Sequence, residues 1–550
     1  MPVAELILTG AELYTVDSSR PWATDLAIAD GRVLAVGGRD EVARHRGPGT
    51  TVVDLGGAFV MPGLVDVHNH HSLAGMADLF ELSVDAAADL SGVLAAVAER
   101  ARGLGPDEWV TGGSWGSHLV EELSREAARR ALDEAAGGRP VMLSDDSHHN
   151  RWANSRALKV AGISATTPDP DGGVIVRDPV TGEPTGLLLE TAGIALAQAV
   201  RDSAAPTAEQ HRLASRRAVE ILHSFGVTAF QDAGTSRDIM RALHELDTAG
   251  ELAAWVVSSM LINDPIFGFA PVGAELLAEG ERYRSTHHRP DFVKIFLDGV
   301  PPTRTAAFLD PYLPDHAHGA HHHGVLTMPP DELAGWLRTV AEAGLSAKIH
   351  CTGDASVRVA LDAVAKVRAE GYRDSRFQIA HGQFVHPADV PRFAETGVIA
   401  DISPFLWFPG VITEAIAEVR PAEPAARMQP NRALIDAGAL VAGGSDWPVS
   451  ASPNAWEGIQ GLVTRRDPSG TRSGALWPEQ AIALAEAIAV FTANGAAAMG
   501  LGEVTGSLAP GKSADFIVTD RNPFAVPVTE IAATTVRETW FAGRRVHQRR

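Results

Sequence analysis

The sequence predicts an α/β fold centred on a (β/α)8 TIM barrel, with β-rich segments at both chain termini and a long insertion after the first barrel strand. Two observations predict it. From Pro62 onward, apolar β-rich runs alternate with Ala/Leu-rich helical stretches, the pattern of βα units around a parallel sheet. Eight such runs can be placed, at residues 64–70, 227–232, 254–260, 292–297, 346–350, 378–381, 398–402 and 440–443.

Taken in order, residues 1–60 read as short β-segments (4–9, 11–16, 26–29 and 32–36) divided by Gly, Asp and Ser punctuation. The first barrel run follows. The gap from about 71 to 225 is far too long for one helix and predicts an insertion covering one barrel face. Helical patterns at 331–343 and 355–369 come after later runs. About residues 506–547 return to the character of the N-terminus, with strands at 514–518 and 536–546 and a turn at Pro510-Gly511-Lys512.

Composition narrows the function classes. The 550 residues carry 47 Lys and Arg against 68 Asp and Glu, a formal charge of −21. So acidic a surface disfavours nucleic acid and anionic membranes as partners. A single Cys excludes a disulfide framework and any Cys-rich zinc or iron–sulfur site, which leaves 21 histidines as the nitrogen ligands. The N-terminus has no signal-peptide pattern, and no uncharged apolar run reaches the roughly 18 residues of a spanning helix. A soluble, cytoplasmic protein is expected.

Chemistry-bearing residues collect at the ends of the runs. In Val65-Asp66-Val67-His68-Asn69-His70, positions i and i+2 share a face, so His68 and His70 aim at one point at the mouth where barrel enzymes place their sites. Two imidazoles there can chelate a divalent metal. Alone, the pair is no stronger than chance in a chain with 21 histidines. Lys294 stands alone in Phe292-Val293-Lys294-Ile295-Phe296, and a lysine in a buried strand is costly unless paired or altered. Carboxylation by CO2 would make it an anion able to bridge two metals; pairing with a neighbouring carboxylate is the plainer alternative. His350 and His381 end the fifth and sixth runs, and Asp446 lies just past the eighth.

Together these residues, with Met61-Pro62-Gly63-Leu64-Val65-Asp66 before His68, Asn154-Ser155-Arg156-Ala157-Leu158, Ser445-Asp446-Trp447-Pro448-Val449 and the segment from Gly506 to Asp515, resemble the amidohydrolase superfamily. Within it the chain is similar to the amidohydrolase 3 group of YtcJ-like metal-dependent hydrolases, which includes N-substituted formamide deformylases. The resemblance spans nearly the whole chain. It implies a barrel over residues 61–502 and a small β-sandwich built from 1–60 and 503–550. Carried over by position, His68, His70 and Asp446 would hold one divalent ion, zinc by preference, and His350 and His381 a second, bridged by Lys294 as N6-carboxylysine. The activity implied is hydrolysis of a carbon–nitrogen bond (amide, N-formyl or cyclic amide) by metal-activated hydroxide, with Asp446 as ligand and general base.

Alternatives remain beside this reading. An esterase or lactonase could use the same site, whereas a noncatalytic scaffold is disfavoured because all six ligand positions are present. Mononuclear deaminases of the superfamily place a Glu shortly after the strand-5 His. Here His350 is followed by Cys351-Thr352-Gly353-Asp354, which argues against nucleobase deamination. Cys351 alternates with His350 and is expected to pack away from the metals. Trp115, His149, Arg304, Trp407 and Trp447 match or neighbour pocket-lining positions of the group and point to a small-molecule substrate with an apolar or aromatic part. Ser147-His148 before His149 departs from the group's usual Asp-Gly. The five histidines within 316–323 are expected to bind metal adventitiously rather than form a third site. Oligomeric state is open, a homodimer being one option.

Overall fold

The computed structural model describes residues 2–549 except 86–87, 146–149, 171–172, 204, 265–266, 268 and 315–317. The chain divides into two compact units, Met1–His71 with Ala218–Arg550, and Ser72–Arg217.

The first unit holds all eight barrel strands: β1 (Leu64–Asn69), β2 (Val227–Thr235), β3 (Trp255–Leu261), β4 (His288–Phe296), β5 (Ser346–Cys351), β6 (Phe377–His381), β7 (Val398–Ile402) and β8 (Val441–Gly443). They pair in chain order, every pair parallel. The seam between β8 and β1 is bridged just past β8, where Asp446 N donates to His68 O at 2.7 Å and His70 N to Trp447 O at 2.8 Å. The result is a nearly closed barrel. Every residue of β1, β5, β6 and β7 is buried, because helices cover the outside and side chains fill the inside. Strands buried on both faces read as continuous apolar runs, which is why they stand out in the sequence.

Two strands are each three residues longer than expected. β4 starts at His288, four residues before the expected start at Phe292, and runs through Pro290 and Asp291. β2 continues to Thr235 through a register shift after Asp232. Helices Pro330–Glu342 and Asp354–Ala369 bury Leu333, Leu337 and Val340, and Val357, Leu361 and Val364, the spacing of one helical face.

The chain ends form two further sheets in the same unit. One orders Arg32–Gly37, Asp25–Ala29, Leu6–Thr9 and Thr51–Asp54; the other orders Arg544–Gln548, Val536–Phe541, Phe516–Thr519, Phe59–Pro62, Glu12–Tyr14 and Trp22–Ala23. Leu8, Leu26 and Val33 from the first share an apolar core with Leu13, Val60 and Phe516 from the second. Buried Asp515 knots this region together: it accepts from Ser513 Oγ, Thr505 Oγ1, Trp255 Nε1 and Ala542 N at 2.7–3.0 Å.

The second unit carries its own six-stranded mixed sheet, ordered Gly173–Arg177, Pro184–Glu190, Arg151–Ala153, Val141–Asp145, Val110–Trp115 and Leu82–Ser83. Helices Leu90–Arg102 and Glu126–Ala135 supply Val93, Val97 and Leu132 to its core. Asp89 and Asn154 cap helix N-termini by accepting from Gly92 N and Ala157 N. Among the described residues no helix is long and apolar enough to cross a membrane.

Candidate metal centre

Parallel strands present their C-terminal ends on one side of the barrel, and the residues singled out in the sequence sit there. His68 lies in β1, Lys294 in β4, His350 in β5 and His381 at the end of β6; His70 follows β1 by one residue and Asp446 follows β8 by three. His68 Nε2 and His70 Nε2 are each 3.5 Å from Asp446 Oδ1. One ligand atom from each of the three lies within 4.8 Å of the others, and all three residues are buried. Among the described residues no second group of three such side chains converges.

The remaining predicted residues join this cluster. Lys294 Nζ is 3.4 Å from His68 Nε2. The His381 ring centroid stands 4.6 Å from that of His68 and 4.8 Å from that of His350. His350 Nδ1 is 3.3 Å from Asp298 Oδ1 but out of hydrogen-bond alignment, so it counts as near and unbonded. Asp298 is instead filled by Ala307 N, Thr352 N, Gly353 N and Ser356 Oγ.

Local backbone geometry aims these groups. His381 and Asp446 adopt φ of +66° and +57°, the left-handed region that non-glycine residues avoid. Each such residue costs on the order of 1 kcal/mol, a strain found mainly where surroundings impose it for function. Gly444 has no room for a side chain: a Cβ there would stand 2.3 Å from His68 Cβ and 2.7 Å from His68 N. Its absence lets the chain after β8 lie against β1.

Three residues that sequence reasoning passed over organise the cluster. Asp66 accepts from Ser445 N (3.0 Å), Ser445 Oγ (2.6 Å), His68 N (3.1 Å) and Asn69 Nδ2 (3.1 Å), tying the Asp446 turn to β1. Asp401, one residue before the end of β7, accepts from His68 Nδ1 at 2.9 Å and from Lys348 Nζ on β5. The signal was available. Asp66, His68 and His70 alternate along one strand face, and Lys348 and Asp401 are lone charges in apolar strands, as Lys294 is.

Burial sets the charge states. It holds the His68 imidazole well below its usual range, with Lys294 and Lys348 adding to the effect. His381 is likewise depressed, by burial and then by His350. Both rings are therefore neutral, the form that binds metal. Burial, then Lys348, brings Lys294 down to about 7, and burial brings Asp401 up to about 6.

The donor set fits a divalent ion. Two imidazole nitrogens and one carboxylate oxygen suit zinc and its neighbours. Ligands about 2 Å from one tetrahedral ion stand roughly 3.3 Å apart, close to the Nε2–Oδ1 separations here. His70 Nδ1 is buried with no hydrogen-bond partner among the described residues.

The expected substrate-lining residues fare differently. Trp115 is wholly buried in the core of the second unit, beside Val110, Leu143 and Trp152, with its indole N–H 3.4 Å from Leu143 O. Trp407 has no exposed surface and packs under the Arg465 guanidinium, 3.8 Å from its ring centroid. Both occupy packing positions, because a ring with no free face offers a substrate nothing to touch. Arg304 bonds Leu313 O at 2.6 Å, tying its own loop. Trp447 is nearly buried and bridges the barrel seam through its carbonyl. Cys351 is buried. His149 and His316 lie outside the described residues; of the remaining histidines near 316, His322 Nε2 bonds Arg304 O at 2.7 Å and His323 Nδ1 bonds Phe308 O at 3.1 Å. Two aromatic rings stand by the cluster: buried Phe296, 5.5 Å from the His350 ring, and Phe267, which sequence reasoning did not single out, half-buried after β3, 5.2 Å from the His70 ring and 5.4 Å from Phe269.

Comparison with known proteins places the chain in a family. The chain is 30% identical to an N-substituted formamide deformylase of Arthrobacter pascens, over 98% of this chain and 97% of that protein. It is 28% identical to the putative amidohydrolase YtcJ of Bacillus subtilis (strain 168), over 98% and 99%. In fold it is similar to the crystal structure of an uncharacterized metal-dependent hydrolase from Pyrococcus furiosus, with a TM-score of 0.74 and 23% identity over 94% of this chain and 99% of that one. The Amidohydrolase family description matches residues 51–547, nine-tenths of the sequence, and the chain belongs to that family of hydrolases.

Proposed function

We propose that the protein hydrolyses a carbon–nitrogen bond of the amide type, in an amide, N-formyl compound or cyclic amide. The observation that carries this reading is the buried convergence of His68, His70 and Asp446 at the barrel mouth. The 30% identity to a formamide deformylase supports the choice of bond. A divalent ion, when bound, supplies Lewis acidity and lowers the pKa of water from 15.7 to about 7.

The chain's own residues do the rest. His68 and His70, through Nε2, and Asp446 would hold the ion. Asp446 Oδ1 faces both imidazoles, so Oδ2 takes the proton of the attacking water and passes it to the leaving nitrogen. The water oxygen bonds to the acyl carbon, the carbon–nitrogen bond breaks, and the new acid's remaining proton passes to the amine, giving a carboxylate and an ammonium, both in one molecule when the amide was cyclic. The turn holding Asp446 is rigid, since its carbonyl accepts from Val449 N and Ser450 N at 2.8 and 3.2 Å. A hydrolysis screen of N-formyl, N-acyl, hydantoin-type and ester substrates with zinc-, manganese- and cobalt-loaded protein tests this. Turnover of at least one amide-type class is expected; turnover of esters alone would replace the reading.

Of the two buried lysines beside the site, Lys348 is taken by Asp401, whereas Lys294 Nζ faces His68 Nε2. We assign carboxylation to Lys294: its free amine would add to CO2, forming an N–C bond and releasing one proton, and the resulting carbamate oxygens would offer a bound ion a further ligand. Withdrawing bicarbonate should lower metal loading, and Lys294→Ala should lose activity that short carboxylic acids partly restore. Full activity of Lys294→Ala without additive would remove Lys294 from the centre.

Phe267 and Phe269 give the site an apolar wall next to His70, suited to a substrate with an aromatic or bulky apolar part. Phe267→Ala should raise KM for N-aryl or N-aralkyl substrates about tenfold, the loss of roughly 1.5 kcal/mol of apolar contact, with kcat little changed. An unchanged KM on such substrates would place them elsewhere.

A further inference from the structure

Lys348 and Asp401 are side chains 53 residues apart in sequence, brought together across the barrel interior with no exposed surface on either. Asp401 Oδ2 receives two hydrogen bonds, one from Lys348 Nζ and one from His68 Nδ1 at 2.9 Å. An ionised carboxylate can only accept, so the His68 ring must carry its proton on Nδ1. That leaves the lone pair on Nε2, the atom that stands 3.5 Å from Asp446 Oδ1 and 3.4 Å from Lys294 Nζ. The opposite tautomer would aim an N–H into the cluster. His70 has no such partner: its Nδ1 is unbonded among the described residues. Of the His68 and His70 pair, only His68 is constrained in this way; His381 Nδ1 lies 3.1 Å from Ser403 Oγ, a hydroxyl that can donate or accept and so fixes no tautomer.

Lys348 completes it. The other carboxylate oxygen, Asp401 Oδ1, has no hydrogen-bond partner among the described residues, so the carboxylate is oriented by the two donors on Oδ2 alone. Without the ammonium, a buried anion would be left uncompensated and held by a single contact.

We propose that Lys348 and Asp401 are positioning residues that lock His68 in the Nδ1–H tautomer, keeping Nε2 available to the metal ion. This rests on the metal-binding reading of His68, His70 and Asp446 given above. The lock comes from two strands, β5 and β7, and acts through His68 without touching substrate.

The competing role is purely structural, a buried ion pair that fills the barrel, and a double substitution separates the two. Lys348→Met with Asp401→Leu removes both charges, and replacing a buried pair by apolar residues commonly leaves a fold intact. Metal-stripped full-length protein is titrated with Co2+ while the visible d–d absorption is followed, with urea unfolding run in parallel. The lock predicts cobalt affinity 10- to 100-fold below wild type despite a retained unfolding midpoint, the loss usual when the partner of a ligating histidine is removed. Should that variant fail to unfold cooperatively, Lys348→Met with Asp401→Asn takes its place. It is charge-balanced and close in size, and its amide can turn either C=O or NH2 to Nδ1, so the same loss is expected. Wild-type cobalt affinity in a folded double variant overturns the lock and leaves the metal site standing. A wild-type chain that takes up no cobalt, or whose uptake His70→Ala leaves unchanged, overturns the metal reading itself.

Discussion

Asp446→Asn will lower kcat on the preferred amide substrate by about 10²- to 10⁴-fold while the chain stays folded, the range expected when a positioned proton-transfer group is removed. The substitution is close to isosteric. Asn also tolerates the left-handed backbone better than most residues, so φ of +57° at position 446 is kept. The main-chain bonds that hold the turn, Asp446 N to His68 O and Val449 N to Asp446 O, do not involve the side chain. What is lost is a negative oxygen able to take a proton and to stand 3.5 Å from both imidazoles. Metal affinity will fall as well, so kcat is measured at saturating metal, where the proton-transfer defect remains and the binding defect does not. Activity within threefold of wild type under those conditions would show that another group moves the proton.

Much of this site was readable because each component follows a local rule. β6 ends in His381 and β5 carries His350 one residue before its end, both after apolar runs, and His68 near the end of β1 is followed at alternate spacing by His70; these facts concern a few consecutive residues each. Asp401 and Lys348 obey the same rule as Lys294, that a lone charge in a buried strand needs a reason. Their reason is each other, and only the closing of the barrel brings them together. Aromatic residues were least legible. Trp407 follows β7 near the mouth, yet Arg465, 58 positions later, caps its ring. Phe267 lies in a loop with no pattern to mark it, and only the fold sets it beside His70. Residues 72–217 form a compact unit with strands paired in both directions, and pairing order in such a sheet is not written in any short window.

Acidification from pH 7.5 to 5 will destabilise the protein by about 4 kcal/mol through two buried histidines outside the metal cluster, His223 and His288. Burial holds both to about 4, against an ordinary 6.5. His288 is satisfied as a neutral ring: Nδ1–H donates to Tyr283 O at 2.9 Å, and Nε2 is 2.9 Å from the Ser258 hydroxyl that donates to it. His223 donates from Nε2 to Ala253 O at 2.9 Å. Unfolding returns each ring to water and to a pKa near 6.5, so the unfolded chain takes up protons first as pH falls. Each histidine therefore contributes its full stabilisation above about pH 6.5 and loses it progressively as pH drops through 4. The whole contribution is about 3 kcal/mol per residue, of which about 2 is gone by pH 5. Urea unfolding at the two pH values measures the fall. His288→Gln should be less stable than wild type at pH 7.5, since a well-packed ring and its bonds are lost, yet its fall on acidification should be smaller by about 2 kcal/mol. Parallel falls in the two proteins would mean that His288 takes up its proton as readily in the native state as in the unfolded chain, which its burial opposes.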